Sequence, residues 1–230
     1  CLIASLLSTI SFFFAAYKLP ESHKPSNEVK VSLNPISTIY NMARDMKKAI
    51  KMPQIGRLIM IATMFSFGFT IMHAVFVLFT EHDLGFSEAQ NGRVFAIIGI
   101  NGMIIQGALI GGLTKKYGSL NLMKFGTFTC GLGLVLVPYV SHQYIWITMG
   151  LVVMLISTGN ALFQPSFSAI LAQRTIDEGQ EMGMVMGAQE SASAFARILG
   201  PLTGGLVWDF TVMKTGILSV ATAFHLCGIM

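Results

Sequence analysis

The sequence predicts an all-α fold, a polytopic bundle of membrane-spanning helices, and three observations carry that prediction. Of the 230 residues, 53% are hydrophobic and only 11% are charged, against about a quarter charged in soluble domains. The apolar residues lie in long runs, and Val94 to Leu113 holds no charge over twenty residues. That length crosses a hydrocarbon core of about 30 Å at about 1.5 Å per residue. Finally, the charges collect between the runs, mostly at one end of them. The 17 Phe, 15 Met and 23 Gly fit the same class, in which Gly is commoner than in soluble helices. A net charge of +4 would otherwise point to nucleic acid, but these charges sit at span ends and not along one groove-facing surface.

Taken in order, Cys1 to Tyr17 is an apolar run closed by Lys18-Leu19-Pro20-Glu21, and a polar linker follows. Asn34 and Pro35 make an N-cap and first-turn pair, after which Ile36, Ile39, Tyr40, Ala43, Met46 and Ile50 recur at helical spacing. Arg44, Lys47, Lys48 and Lys51 occupy the other side. Such a basic amphipathic helix either lies on the membrane surface among anionic headgroups or packs on the bundle, and the pattern fits both. After Pro53 the predicted spans are Gln54 to Phe79, Asn91 to Leu113, Leu120 to Val140, Tyr144 to Leu171, Met182 to Phe210 and Thr215 to Met230. With the first run they make seven. Both ends of the sequence fall inside apolar runs and are expected to be truncations. The expected organisation is therefore residues 1–18 as the end of a preceding helix, 19–53 as a linker with its amphipathic helix, and 54–230 as a six-helix bundle whose last helix is cut.

Gly107 to Lys124, GALIGGLTKKYGSLNLMK, reads as a short basic turn joining two spans. Clustered Lys and Arg mark the cytoplasmic side, and placing Lys115 and Lys116 there sets every other loop. Lys18, Lys24, Lys30, Arg44, Lys47, Lys48, Lys51, Arg57, Lys124 and Arg174 then join them, twelve in all, against Arg93 and Lys214 outside. Tyr139, Tyr144, Trp146 and Trp208 cluster at the outer ends, as interfacial anchors do.

Glu190 and Arg197 are the only full charges well inside a span, seven residues apart and hence on one helix face, whereas Arg57, Arg93, Lys124 and Asp209 lie near span ends. Charges at membrane depth face a wet interior or a partner. They serve a substrate or proton pathway, or Arg197 instead locks the bundle by bonding a neighbour's carbonyls. His73 suits proton coupling, its ordinary pKa lying near neutrality, although a single His in an apolar helix is more often a hydrogen-bonded packing residue. Asn101, Gln106, Asn160 and Gln164 are amides that hydrogen-bond either a substrate or a neighbouring helix. Gly107/Gly111, Gly183/Gly187 and Gly200/Gly204 place small residues one turn apart, where helices approach closely. Cys1, Cys130 and Cys227 read as packing residues, without metal-ligand spacing. No G-x-S-x-G, H-E-x-x-H or phosphate loop occurs, so the expectation is no enzyme, no catalytic residue, no metal and no cofactor.

The linker opening LPES, the turn GGLTKKYG, the run GNALFQPSFSAILAQRT and ESASAFARILGPLTGGLVWD resemble the carboxyl half of major facilitator superfamily transporters. Within that superfamily the resemblance is to the tetracycline-efflux-like drug:proton antiporter branch, over essentially the whole chain. It implies a secondary transporter working by alternating access, proton-coupled efflux of small lipophilic compounds, and a bacterial inner membrane. It also implies a conformational-switch role for Gly111, Lys115, Lys116 and Gly118, which are similar to the second-half, pseudo-symmetric counterpart of the family's signature glycine-rich basic turn, itself expected upstream of this sequence. The implied partners are a small-molecule substrate, protons, the bilayer and an amino-terminal half, with the proton-carrying carboxylates mostly in that half. By itself the chain is expected not to transport. Two alternatives stand beside this reading: a solute importer of the same superfamily, and a non-transporting membrane sensor or assembly protein.

Overall fold

A computed structural model describes residues 2–18, 35–140, 142–210, 224 and 228. The chain divides into two units, Cys1–Ile39 and Tyr40–Met230. The first contains α1 (Leu2–Lys18), an apolar helix closed by its one basic residue. The second is a helical bundle. It is built from α2 (Pro35–Lys51, from Tyr40 onward), α3 (Pro53–His82), α4 (Glu88–Ile104), α5 (Ile110–Tyr117), α6 (Ser119–Leu136), α7 (Ile145–Asp177) and α8 (Met182–Trp208). No strand occurs among the described residues. The predicted cap Asn34 and most of the final predicted span, Thr215 to Met230, lie outside the described residues; Phe224 and Gly228 within that span are helical.

Among the described residues, each predicted span from Gln54 to Phe210 coincides with helix, and those at Gln54, Asn91 and Tyr144 are overrun at the far end, to His82, Tyr117 and Asp177. Four segments among the described residues are long and apolar enough to cross a membrane: Pro53–His82, Glu88–Tyr117, Ser119–Tyr139 and Ile145–Asp177. Helix α8 is long enough but less apolar, diluted by Gln189, Glu190, Ser191, Ser193 and Arg197. It nevertheless runs alongside α3, where an added methyl on Gly204 would touch Ile71 and Val75 at 3.3 Å. Pro165 and Pro201 fall inside α7 and α8, which continue through them. Helix α4 begins at a capping box: Ser87 Oγ accepts from the Gln90 amide at 3.4 Å, and Gln90 Oε1 accepts from the Ser87 amide at 2.7 Å.

The basic turn requires correction. Helix continues from Glu88 through a wider π-type turn, Ile105–Leu109, into α5, whose last turn carries Lys115 and Lys116. Only Gly118 is non-helical before α6 starts at Ser119. Its φ of 78° is the left-handed region that favours glycine, so one residue reverses the chain. The polarity of the lysines suggests a loop, yet a helix C-terminus attracts cations through its dipole.

The core forms along α3, α6, α7 and α8. At the basic end it consists of Ile55, Ile59, Phe163, Phe167, Leu171 and Val185; at the opposite end it includes Phe76, Phe79, Val137, Met149 and Val153. Helix α2 resolves in favour of packing. Ala49 is fully buried and Met46 packs against the basic-end core, and a methyl on Gly56 would collide with the Ile50 carbonyl. Only Met52 separates the two helices, and Pro53 opens α3 where its missing N–H costs nothing.

Candidate functional site

The polar residues of the spans fall into two groups, one engaged within the bundle and one turned away from it. Asn101 belongs to the first. Its Nδ2 donates to Ser157 Oγ at 2.6 Å and Thr158 Oγ1 at 3.0 Å, tying α4 to α7. Asn160, also on α7, is half-buried, and its Oδ1 is enclosed without a hydrogen-bond partner. Gln106, in the π-type turn, and Gln164, on α7, are exposed. A π-type turn inserts one residue into the helical register, so Gln106 stands where that register shifts.

Glu190 and Arg197 form an ion pair along α8, Arg197 Nη2 donating to Glu190 Oε1. Two helical turns separate the residues, a gap that these long side chains close along the helix surface. The guanidinium thus bonds a carboxylate of its own helix and not a neighbour's backbone. Both side chains are more than half exposed, 53% for Arg197 and 62% for Glu190.

Around α8 the exposed residues sort by kind. At about 100° per residue, Gly183, Gly187, Glu190, Arg197 and Pro201 lie within one sector, and all are exposed. Phe195, Leu199, Leu202 and Leu206 are equally exposed, but they cluster about 135° away, with exposed Ile198 between the two sectors. Helix α4 repeats the division. Gly92, Phe95 and Gly99 share one exposed sector, and Ile97, Ile100 and Ile104 another, with exposed Gln106 following in the π-type turn. Each helix therefore has a packed side, an exposed side bearing its glycines, and an exposed side of large apolar residues, which on α4 also carries Arg93 near the helix start.

On α3, His73 is exposed and sits within a chain of aromatic rings. Phe69 meets it edge-on with centroids 4.6 Å apart, and Phe95 of α4 is 6.3 Å away. Phe69 continues to Phe65 at 6.0 Å, Phe65 stacks on Phe163 at 3.8 Å, and Phe163 leads to Phe167 at 5.7 Å. This chain crosses from α7 to α4. The sequence singles out His73 but not the rings, because pairings a hundred residues apart leave no local pattern.

Two of the three glycine pairs need correction as helix contacts. A methyl on Gly107, Gly111, Gly183 or Gly187 would meet nothing within 4 Å, whereas one on Gly200 would lie 2.9 Å from Thr70 Cβ. Close approach between α6 and α7 lies at glycines the spacing does not flag. A methyl on Gly126 would lie 2.7 Å from the Gly159 carbonyl oxygen, and one on Gly133 would lie 2.7 Å from Ile156 Cγ1. Gly126 and Gly133 stand two turns apart, outside the one-turn spacing that signals a helix pair. Buried Cys130 lies between them, its predicted packing role intact; Cys1 and Cys227 lie outside the described residues.

The family model described as Major Facilitator Superfamily matches residues 1–201. The chain belongs to the Major Facilitator Superfamily. Multidrug resistance protein 2 of Bacillus subtilis is 26% identical over 212 residues, covering 91% of this chain and 49% of the relative. Multidrug resistance protein 1 of the same organism is 23% identical, with 91% and 53% covered. Tetracycline resistance protein, class C, of Escherichia coli is 24% identical, with 87% and 48% covered. The chain spans about half the length of these relatives. No solved structure matches it significantly. For a Major Facilitator Superfamily chain, a helical, membrane-integral bundle of the transporter type is the shared property.

Proposed function

We propose that this chain supplies the carboxyl-terminal half of a secondary active transporter that exports small lipophilic compounds in exchange for protons. Residues 1–18 end a helix of the amino-terminal half, 19–53 form the linker, and 54–230 form the second six-helix bundle. The observation that carries the reading is the two-sided exposure of α4 and α8. A bundle surrounded by lipid alone has no use for an exposed sector bearing Glu190 and Arg197, since charges at membrane depth face protein or water. A second half closing over that sector gives both a home. Two halves rocking about a midplane site is how such transporters alternate access.

In this arrangement Glu190 and Arg197 form the charged wall of the pathway, with His73, Gln106 and Gln164 bordering it and Asn101 and Asn160 bracing α4 and α7. Protonation of Glu190 would break its ion pair and free Arg197, which links proton movement to the charge state of the face. Gly111, Lys115, Lys116 and Gly118 form the switch, a one-residue hinge beside a basic helix end. The basic end faces the cytoplasm of a bacterial inner membrane. Export of lipophilic compounds follows the multidrug and tetracycline resistance relatives.

The test uses the natural protein carrying this sequence, reconstituted in vesicles loaded with a lipophilic fluorescent dye. Export that rises with an imposed proton gradient and stops with an uncoupler is the expected result. Export indifferent to the uncoupler overturns proton exchange, and dye accumulation in the opposite direction overturns efflux.

A further inference from the structure

Away from the face bearing His73, Glu190 and Arg197, the basic end of the bundle carries a second feature. Between α2, α3 and α8 lies an open groove of about 330 Å³, lined by Met46, Ile50, Met60, Met64, Ala192 and Phe195. Met60, Met64, Ile50 and Phe195 are each at least 45% exposed. On α3, Met60 and Met64 point roughly opposite to His73, and on α8, Phe195 belongs to the apolar sector remote from the ion pair. The groove therefore opens away from the proposed transport face.

Its mouth is basic. Arg57 precedes Met64 by seven residues, placing it on the same face of α3 about 10 Å nearer the helix start. Its Nε donates to the Pro53 carbonyl at 2.7 Å, which holds the guanidinium at the end of α3. On α2, Lys47 adjoins Met46 and Lys51 adjoins Ile50, both exposed. Arg44 is taken by Asp45 at 3.5 Å. Lys47, Lys48, Lys51 and Arg57 have no ion-pair partner among the described residues. Free cations of α2 and α3 thus stand beside an apolar trough.

We propose that this groove is a binding site for one anionic phospholipid of the leaflet at the basic end. An acyl chain lies along Met60, Met64 and Phe195, and the phosphate sits among Arg57, Lys51 and Lys47. Basic pockets between helices at a membrane surface select anionic headgroups in this way, and methionines adapt to a flexible chain. A zwitterionic lipid fits the same trough but carries its own cation, so the basic mouth distinguishes the two. The site also explains why α2 is both packed and basic: docking of Ala49 fixes its cations beside the trough.

The experiment places a reporter in the groove. Met60→Trp is introduced into the natural protein, which is reconstituted in phosphatidylcholine with increasing amounts of phosphatidylglycerol or phosphatidylcholine brominated on the acyl chains. The unsubstituted protein supplies the background from Trp146 and Trp208. The expected result is half-maximal quenching of the introduced indole at a far lower fraction of the anionic lipid, by about fivefold for each cation that meets the headgroup. Lys47→Gln, Lys51→Gln and Arg57→Gln together should erase the difference, whereas Lys124→Gln, a charge lost elsewhere at the basic end, should leave it intact. Equal quenching by both lipids overturns the proposal. So does a preference that survives the triple substitution, or one lost equally with Lys124→Gln. A reporter that neither lipid quenches shows a groove filled by protein and overturns it as well.

Discussion

The α6–α7 seam and the exposed sector of α8 are both lined with glycine, yet the glycines face opposite surroundings. At the seam, Gly126, Gly133 and Gly159 let two backbones approach until a single added methyl would strike main-chain or side-chain atoms at 2.4 to 2.7 Å. On α8, Gly183 and Gly187 face open space, although their spacing is the one that normally signals a close helix pair. Helix association in membranes rests on packing without a hydrophobic drive, so small residues are retained where a surface must come near. The seam shows its surface. The α8 sector has none among the described residues, which is what a face closed by another half requires.

The comparison breaks most visibly at the seam. Gly159→Leu would force its side chain against the Cys130 backbone and the Gly126 carbonyl. Overpacking of this kind costs about 1–3 kcal/mol when side chains can shift and more when the obstacle is main chain. The expected outcome is a large fall in unfolding temperature and poor yield of folded protein, read by thermal denaturation in detergent. A variant as stable as the parent would show that the seam is looser than its geometry.

The ion pair tests the other side. An exposed pair contributes about 0–1 kcal/mol to stability, so Arg197→Gln should leave the unfolding temperature nearly unchanged. Transport of the lipophilic dye should fall by roughly tenfold, corresponding to about 1.4 kcal/mol lost from the working cycle. Glu190→Gln should do the same and weaken the dependence on the proton gradient. A stability loss as large as the transport loss would return Arg197 to a structural role.

These contrasts also show what is legible in the sequence. The spans are, because a charge-free run such as Val94 to Leu113 has few other uses. Their ends are less so. Lys115 and Lys116 look like loop but complete a helix, and Gly118 alone turns the chain. The capping box at Ser87 and Gln90 has its full signature in the sequence and starts α4 at Glu88, three residues before the predicted span begins at Asn91. Glu190 and Arg197 stand out by charge, and their shared face follows from counting residues. Their pairing does not, since spacing shows adjacency but not which partner a side chain takes. The aromatic chain through Phe65, Phe163 and His73 depends on tertiary placement and has no local trace. Glycine spacing misleads at Gly183 and Gly187 because it records that something approaches without saying whether that surface lies in the same chain.

A smaller effect is expected where the face is braced from inside. Asn101→Ala removes two hydrogen bonds from α4 to α7, at 2.6 and 3.0 Å. Interhelical bonds in membranes are worth about 0.6 kcal/mol on average and up to about 1.7, so a modest destabilisation is expected, with Ser157 and Thr158 left to bond their own helix. Dye affinity should be retained. A specific loss of affinity at unchanged stability would move Asn101 from bracing the face to lining it.

The smallest change is the most discriminating. Gly187→Ala adds one methyl in open space within a helix, and replacing a helical glycine by alanine stabilises by roughly 0.5–1 kcal/mol. If α8 meets another half at this sector, the same methyl keeps the surfaces apart and slows or stops the closing step. Stability of the isolated bundle should therefore rise slightly while transport falls, opposite signs from one substitution. Gly126→Ala at the seam should lower both together. If Gly187→Ala raised stability and left transport untouched, no second surface would approach Gly187, and the glycines of α8 would have to be explained by lipid contact alone.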